Sequence, residues 1–202
     1  MRTIRKKNSA GKVIAVILLL AVLTVLAVFG IGYGVEKFER ETHPLKYSEL
    51  VTRYSREYGL DEYLVYAFIK TESSFNPEAE SYLGARGLMQ IMPETFEWIR
   101  YRLSEEDNPE ISYDSMYDAE ENIRYGCYLL SYLAEEFGGG ATEIAAAYHA
   151  GVGSVSSWLE NGEYSENGKL IKIPNSDTAH YVDKISNAYE VYCRLYKENE
   201  NK

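Results

Sequence analysis

The chain has 202 residues, 46% hydrophobic and 26% charged, with a formal net charge of −10. That length suits one compact domain of about 100–200 residues plus an appendage. The charge is unevenly divided. Arg2, Arg5, Lys6, Lys7 and Lys12 precede a long apolar run with no acid among them, while the segment after the run holds all 31 acidic residues and 16 of the 21 basic ones, a net of −15. So acidic a segment is a poor candidate for binding nucleic acid, which needs a basic surface, or for lying along anionic lipid.

In chain order, residues 1–12 form a basic N-terminus and residues 13–33 an uncharged, almost wholly apolar stretch of 21 residues, Val13 to Tyr33. As a helix rising about 1.5 Å per residue it would cross a hydrocarbon core of about 30 Å. The basic flank places the N-terminus in the cytoplasm and the rest of the chain outside. A cleaved signal peptide usually has a shorter apolar region of about 7–15 residues and a small-residue cleavage site. The run here is longer and no clear Ala-x-Ala follows, so an uncleaved anchor is expected, with the main domain extracytoplasmic in either case. Residues 34–46, charged and containing Pro44, read as a linker.

Residues 47–202 read as one mainly α domain with little or no sheet. Tyr47 to Tyr58 carries Leu50, Val51, Tyr54 and Tyr58 at helical spacing and stops at Gly59. Asp61 is placed to cap a second helix with Leu64, Val65, Phe68 and Ile69 on one face. Pro93 suits the first turn of a helix from Glu94 to about Arg102. Asp118 is placed to cap a long helix bearing Ile123, Cys127, Leu130, Ala134 and Phe137, ended by three glycines. Two short helices follow, Thr142 to Ala150 and Val152 to Leu159. Lys169 to Ile173 alternates in polarity but reads as an extended loop. The last helix starts near Ser176 or Asp177, with Tyr181, Ile185, Ala188, Tyr192 and Leu195 on one stripe. Cys127 and Cys193 read as two buried thiols rather than as a disulfide. His43, His149 and His180 lack metal-ligand spacing, so neither metal nor cofactor is expected.

One residue breaks the apolar pattern. Leu64, Phe68 and Glu72 are spaced by four, which sets a carboxyl on the apolar face near the helix C-terminus. Desolvation and the negative end of the helix dipole would both raise its pKa, as a general acid requires. Periodicity alone leaves open whether the helix reaches Glu72 or frays before it, leaving the side chain solvated.

Four stretches resolve this. They are Glu72-Ser73-Ser74-Phe75-Asn76-Pro77, then Gly84 to Pro93 (GARGLMQIMP), then Ala146-Ala147-Tyr148-His149-Ala150-Gly151, and Ile173 to Val182 (IPNSDTAHYV), with a weaker signal in Asn122-Ile123, Gly126 and Leu130. In this order they resemble the soluble lytic transglycosylase family, which shares the lysozyme-like fold with goose-type lysozymes. The resemblance implies Glu72 as sole acid and base. It implies Ser81 as the contact to the acetamido group of the reacting muramic acid, Gln90 and Met92 as groove-lining residues, Tyr148 as a substrate-binding residue close to the catalytic carboxyl, and Tyr181, the tyrosine of the fourth motif, as a substrate-binding residue. His149 stands where the family usually has Asn, and a supporting role is expected of it rather than a catalytic one. Asp177 stands where the family often has Glu; it either contacts the site or only caps the last helix.

What the resemblance implies is cleavage of the β-1,4 bond between N-acetylmuramic acid and N-acetylglucosamine with closure of a 1,6-anhydro ring, on peptidoglycan strands and without water. The alternatives are a lysozyme-type hydrolase and a non-catalytic peptidoglycan-binding module. Goose-type lysozymes usually carry acids just before Gly-Leu-Met-Gln, whereas Ser81 to Arg86 has none. Glu78 and Glu80 read as solvated loop charges, and Tyr82 as an aromatic ring open to sugar. Partners in cell-wall or secretion machinery are left undetermined.

Overall fold

A computed structural model describes residues 9–197. It separates into two compact units between Pro44 and Leu45. The first contains α1 (Ser9–Thr42), a single helix of 34 residues. Its portion from Val13 to Thr42 has a mean hydropathy of 3.1 at its most apolar and is long and apolar enough to cross a membrane. The helix continues through most of the charged stretch read as a linker, where Arg40 pairs with Glu36 one turn earlier.

The second unit is built from α2 (Ser48–Glu57), α3 (Glu62–Ser73), α4 (Pro93–Arg102), α5 (Ala119–Glu136), α6 (Ala141–Ala150), α7 (Val152–Glu160) and α8 (Ser176–Tyr192). The expected punctuation is present. Gly59, at φ 67°, follows α2. Asp61 caps α3 by accepting the Tyr63 N–H, and Pro93 occupies the first turn of α4. Asp118 caps α5, accepting the N–H groups of Glu120 and Glu121.

α3 is the hub. Seven successive residues, Tyr63 to Ile69, are buried, so this helix is covered on every side instead of along one stripe. It packs on α8 and α2, and its Tyr66 ring stacks on Tyr192 of α8 at 5.4 Å. α5 lies across the other side, with Ile123, Cys127, Leu130 and Phe137 buried and Ala134 partly so. No disulfide joins Cys127 and Cys193. Cys127 is buried, and Cys193 only half-buried.

Three elements differ from expectation. Lys169–Leu170 is a short strand paired antiparallel with Ser165–Glu166, with Ser165 opposite Leu170. Asn167 and Gly168, both at positive φ (52° and 73°), make the connecting two-residue turn, the geometry favoured for Asn-Gly hairpins. A 3-10 turn at Tyr113–Tyr117 precedes α5. After Tyr192 the last helix widens into a π-helical turn, Cys193–Lys197, on which Leu195 is buried.

Candidate active site

Glu72 lies in the last turn of α3, which extends to Ser73 before Ser74 and Phe75 reverse the chain at φ 50° and 65°. The helix therefore reaches the carboxyl. Burial pushes its pKa up from 4.5 to about 7, opposed only by the hydrogen bond that the Tyr181 hydroxyl donates to Oε1. No neighbouring charge contributes to the shift.

Tyr181 comes from α8, and its phenol is held well above its ordinary pKa by burial and by the Glu72 charge. It therefore stays protonated, and a hydrogen-bond donor, at neutral pH. Tyr148, on α6, packs its ring against Phe68 of α3 at 4.9 Å and donates its hydroxyl to the Met89 carbonyl at 2.6 Å. Burial and the Glu72 charge raise its phenol likewise. His149 stacks on the Tyr181 ring at 4.8 Å, and its Nδ1 lies 3.0 Å from the Thr178 hydroxyl. Thr178 is fully buried, so this contact ties α6 to α8 directly behind Tyr181.

The segment from Ala79 to Met92 forms a wound loop pinned from within. Gln90, at φ 50°, donates its Nε2 to the carbonyls of Ala79 and Gly87, both at 3.0 Å, so its amide nitrogen is committed to the loop. Ser81 accepts the Ala85 N–H on its Oγ at 2.9 Å and keeps its own hydroxyl proton to donate. Met92 is half-buried at the start of α4. Tyr82 stands fully exposed at the tip of the Ser81–Ala85 turn. Asp177 is exposed in the first turn of α8, and the capping role falls to Asn175, whose Oδ1 accepts the N–H groups of Asp177 and Thr178. The capping alternative for Asp177 is thus corrected. It would have required the helix to start two residues later.

Several residues that position the site escaped sequence reasoning. Asn122, fully buried, accepts the Met89 N–H at 2.7 Å and donates to the carbonyls of Arg86 and Met116 at 2.9 and 2.8 Å. Arg86 lies over the rings of Tyr113 and Tyr117 at 4.3 and 4.9 Å and pairs with Asp114 at 2.8 Å. Glu80, read as a solvated charge, takes part here, accepting from the Tyr117 hydroxyl at 2.9 Å and lying 3.5 Å from Arg86. Glu143, almost fully buried on α6, accepts the Leu170 N–H at 2.8 Å and so fastens the hairpin. The signals for these residues were tertiary: a polar side chain at an apolar helical position marks Asn122 and Glu143 but does not say whom they meet. Among the described residues, no three His, Cys, Asp or Glu side chains are arranged to ligate a metal.

A helical domain threaded by one buried helix, which ends in a desolvated carboxyl flanked by two half-buried tyrosines, defines a protein of lysozyme-like fold. Residues 49–171 match the family described as Transglycosylase SLT domain, and the chain belongs to that family. It is 36% identical over 160 residues to the soluble lytic murein transglycosylase of Salmonella typhimurium, covering 77% of this chain and 24% of that protein. It is 34% identical over 170 residues to the membrane-bound lytic murein transglycosylase C of Mannheimia succiniciproducens, covering 74% and 47%. Its structure resembles an inactive mutant, glutamate to glutamine, of the lytic transglycosylase Slt from Pseudomonas aeruginosa, with a TM-score of 0.67 at 28% identity over 75% of this chain and 24% of that one. The chain thus spans between about a quarter and about half the length of these curated relatives.

Proposed function

We propose that this chain is a membrane-anchored lytic transglycosylase acting on peptidoglycan outside the cytoplasm, with Glu72 as its single acid and base. The observation that carries the reading is the Glu72 carboxyl itself, desolvated to a pKa of about 7, hydrogen-bonded to Tyr181 and influenced by no second carboxylate. Most glycosidases divide the work between two carboxyl groups. A site with one such group must pass the same proton both ways, and a pKa near neutrality lets it do so. The inactive glutamate-to-glutamine mutant in the Pseudomonas aeruginosa relative supports this assignment.

In the proposed reaction, protonated Glu72 gives its proton to the glycosidic oxygen between N-acetylmuramic acid and N-acetylglucosamine as that bond breaks. The acetamido oxygen of the muramic acid assists at the anomeric carbon, with Ser81 donating its free hydroxyl proton to position the group. The Tyr181 hydroxyl stabilises the Glu72 carboxylate that results. Glu72 then takes the proton of the 6-hydroxyl as that oxygen closes on the anomeric carbon, leaving a 1,6-anhydro end and regenerating the acid. No water is consumed. Tyr148, Gln90 and Met92 shape the groove, and Asp177 lies at its α8 side. His149 supports Tyr181 through Thr178.

In this arrangement residues 1–12 are cytoplasmic, residues 13–33 span the membrane, residues 34–46 connect, and residues 47–202 act on the wall. The apolar helix and the membrane-bound relative support it. The test is digestion of purified peptidoglycan with the full chain in detergent, read by mass spectrometry. Anhydromuropeptides are expected, with Glu72→Gln lowering their formation at least a thousandfold while strands still bind. Products with only reducing muramic ends would instead identify a hydrolase, and undiminished lysis by the variant would remove Glu72 from its role.

A further inference from the structure

A cleft of about 370 Å³ lies between α4, α5 and the junction of α6 with α7. Its walls are apolar and aromatic, with Trp98 from α4 and Leu129 and Tyr132 from α5 facing Val152. Trp98 and Tyr132 meet edge to face at 4.8 Å, so one flank is a stiff aromatic surface. The volume falls at the lower end of the range for small-molecule sites, about 300–1,000 Å³, the scale of one or two sugar rings. Tyr148 belongs to both places. It lines this cleft, packs on α3 through Phe68, and feels the Glu72 charge. Tyr148 thus connects the cleft to the surroundings of Glu72, and on the function proposed above a strand engaged at Glu72 would offer the cleft an adjoining sugar. In an alternating strand both neighbours of a muramic acid are glucosamines, so the occupant has the same identity whichever way the strand runs.

The cleft has one charged lining residue, Glu94, exposed in the first turn of α4. None of the ion pairs recorded among the described residues uses it. Arg102, which lies over Trp98 and Tyr132 at 5.8 and 5.9 Å, does not line the cleft. A carboxylate here has no use for a neutral acetamido group beyond a weak contact. An ammonium gains both from the carboxylate and from aromatic faces.

We propose that this cleft is a subsite for a glucosamine carrying a free, charged amine, with Glu94 as the residue that selects it. The inference rests on the function proposed above. It extends that function to strands whose glucosamines have lost their acetyl groups.

The test measures binding to the full-length Glu72→Gln chain in detergent, so that nothing is turned over. The probes are peptide-free glycan strands, either fully N-acetylated or with free glucosamine amines, at a pH where the amine is charged. The free-amine strand should bind about threefold to fivefold more tightly, the scale of one partly exposed ion pair. Adding Glu94→Gln should lower the ratio of the two Kd values at least about twofold, leaving only what the aromatic faces contribute. Raising the pH until the amine is neutral should lower it at least as far without any mutation. Tighter binding of the acetylated strand, or an unchanged ratio in the Glu94→Gln chain, would overturn the proposal. So would a third result, in which Glu94→Gln weakens only acetylated strands that still bear stem peptides, since the amine read would then belong to the peptide. Because the readout is binding, failure of the wild-type chain to form anhydromuropeptides would count against the proposed chemistry and not against this subsite.

Discussion

At the scale of single residues, the raised pKa of Glu72 has a consequence for stability as well as for chemistry. The carboxyl titrates near 4.5 in an unfolded chain and at about 7 in the folded one. A group raised on folding stabilises the fold fully below its unfolded value, and that contribution drains away as pH rises through the folded value. Glutamine at this position still accepts the Tyr181 hydrogen bond but has no proton to lose. The stability advantage of Glu72→Gln over the wild type should therefore grow between about pH 4 and pH 8, by up to about 3 kcal/mol, and level off above. Urea unfolding of both chains at several pH values measures it, and a gap that stays flat across the range would mean an ordinary, hydrated carboxyl. The position of Glu72 was readable from its spacing by four with Leu64 and Phe68, which puts the three residues on one face of a helix. Whether the helix reached it was not, since that depends on Ser74 and Phe75 taking up left-handed conformations beyond it. The inward fold of Gln90 and the passing of the cap from Asp177 to Asn175 were equally hidden, because both turn on a one- or two-residue choice of where a backbone bends.

At the scale of elements, the loop between α3 and α4 is held by α5 far more than by its own sequence. Asn122, from a fully buried position, makes two hydrogen bonds to it, at Met89 and Arg86, and a third to the Met116 carbonyl in the 3-10 turn before α5. A Cβ on Gly87, which sits at φ 77°, would come within 2.2 Å of the Asn122 side chain, and one on Gly126 within 2.1 Å of Met89 Sδ. The two glycines therefore let the loop lie flat against α5, and Tyr148 closes the same loop through the Met89 carbonyl. Asn122→Ala strands a buried N–H and two carbonyls, each costing about 1–3 kcal/mol when unpaired. We expect it to lower stability by about 2–4 kcal/mol and to reduce activity further than the lost folded fraction accounts for. Thermal melts alongside turnover per folded molecule separate the two effects. Helix starts were legible because Asp61, Pro93 and Asp118 act locally. The hairpin was signalled by Asn167-Gly168 and passed over, because strands of two residues have no room to show alternation. Asn122 and Glu143 were visible as polar residues at apolar helical positions, but the partners they clamp were not.

At the scale of the whole molecule, the two units divide the physical tasks. Leu45–Lys202 encloses its own core, from Val51 to Tyr192, while α1 exposes Val13 to Phe29 without internal partners. A fragment starting at Leu45 should fold, keep its turnover on soluble glycan strands within about twofold, and leave the membrane fraction for the supernatant, since a unit with its own core can fold alone. Sedimentation of both forms with membranes, followed by assays of each fraction, decides the matter. The division itself was plain in the sequence, since the break in charge and hydropathy near residue 33 is a property of composition. The arrangement of the other helices of this unit relative to α3 was not, because helical periodicity reports which face is covered and not by which partner.

Threading the acid-bearing helix through the centre also sets how its proton is guarded over time. Surface elements open briefly and often, whereas the most enclosed segments open only when everything does. The amides of Val65 to Ile69 should therefore exchange with deuterated solvent no faster than the domain unfolds. The buried stem on which Glu72 is mounted then lasts as long as the native state itself, because α3 cannot fray from the middle.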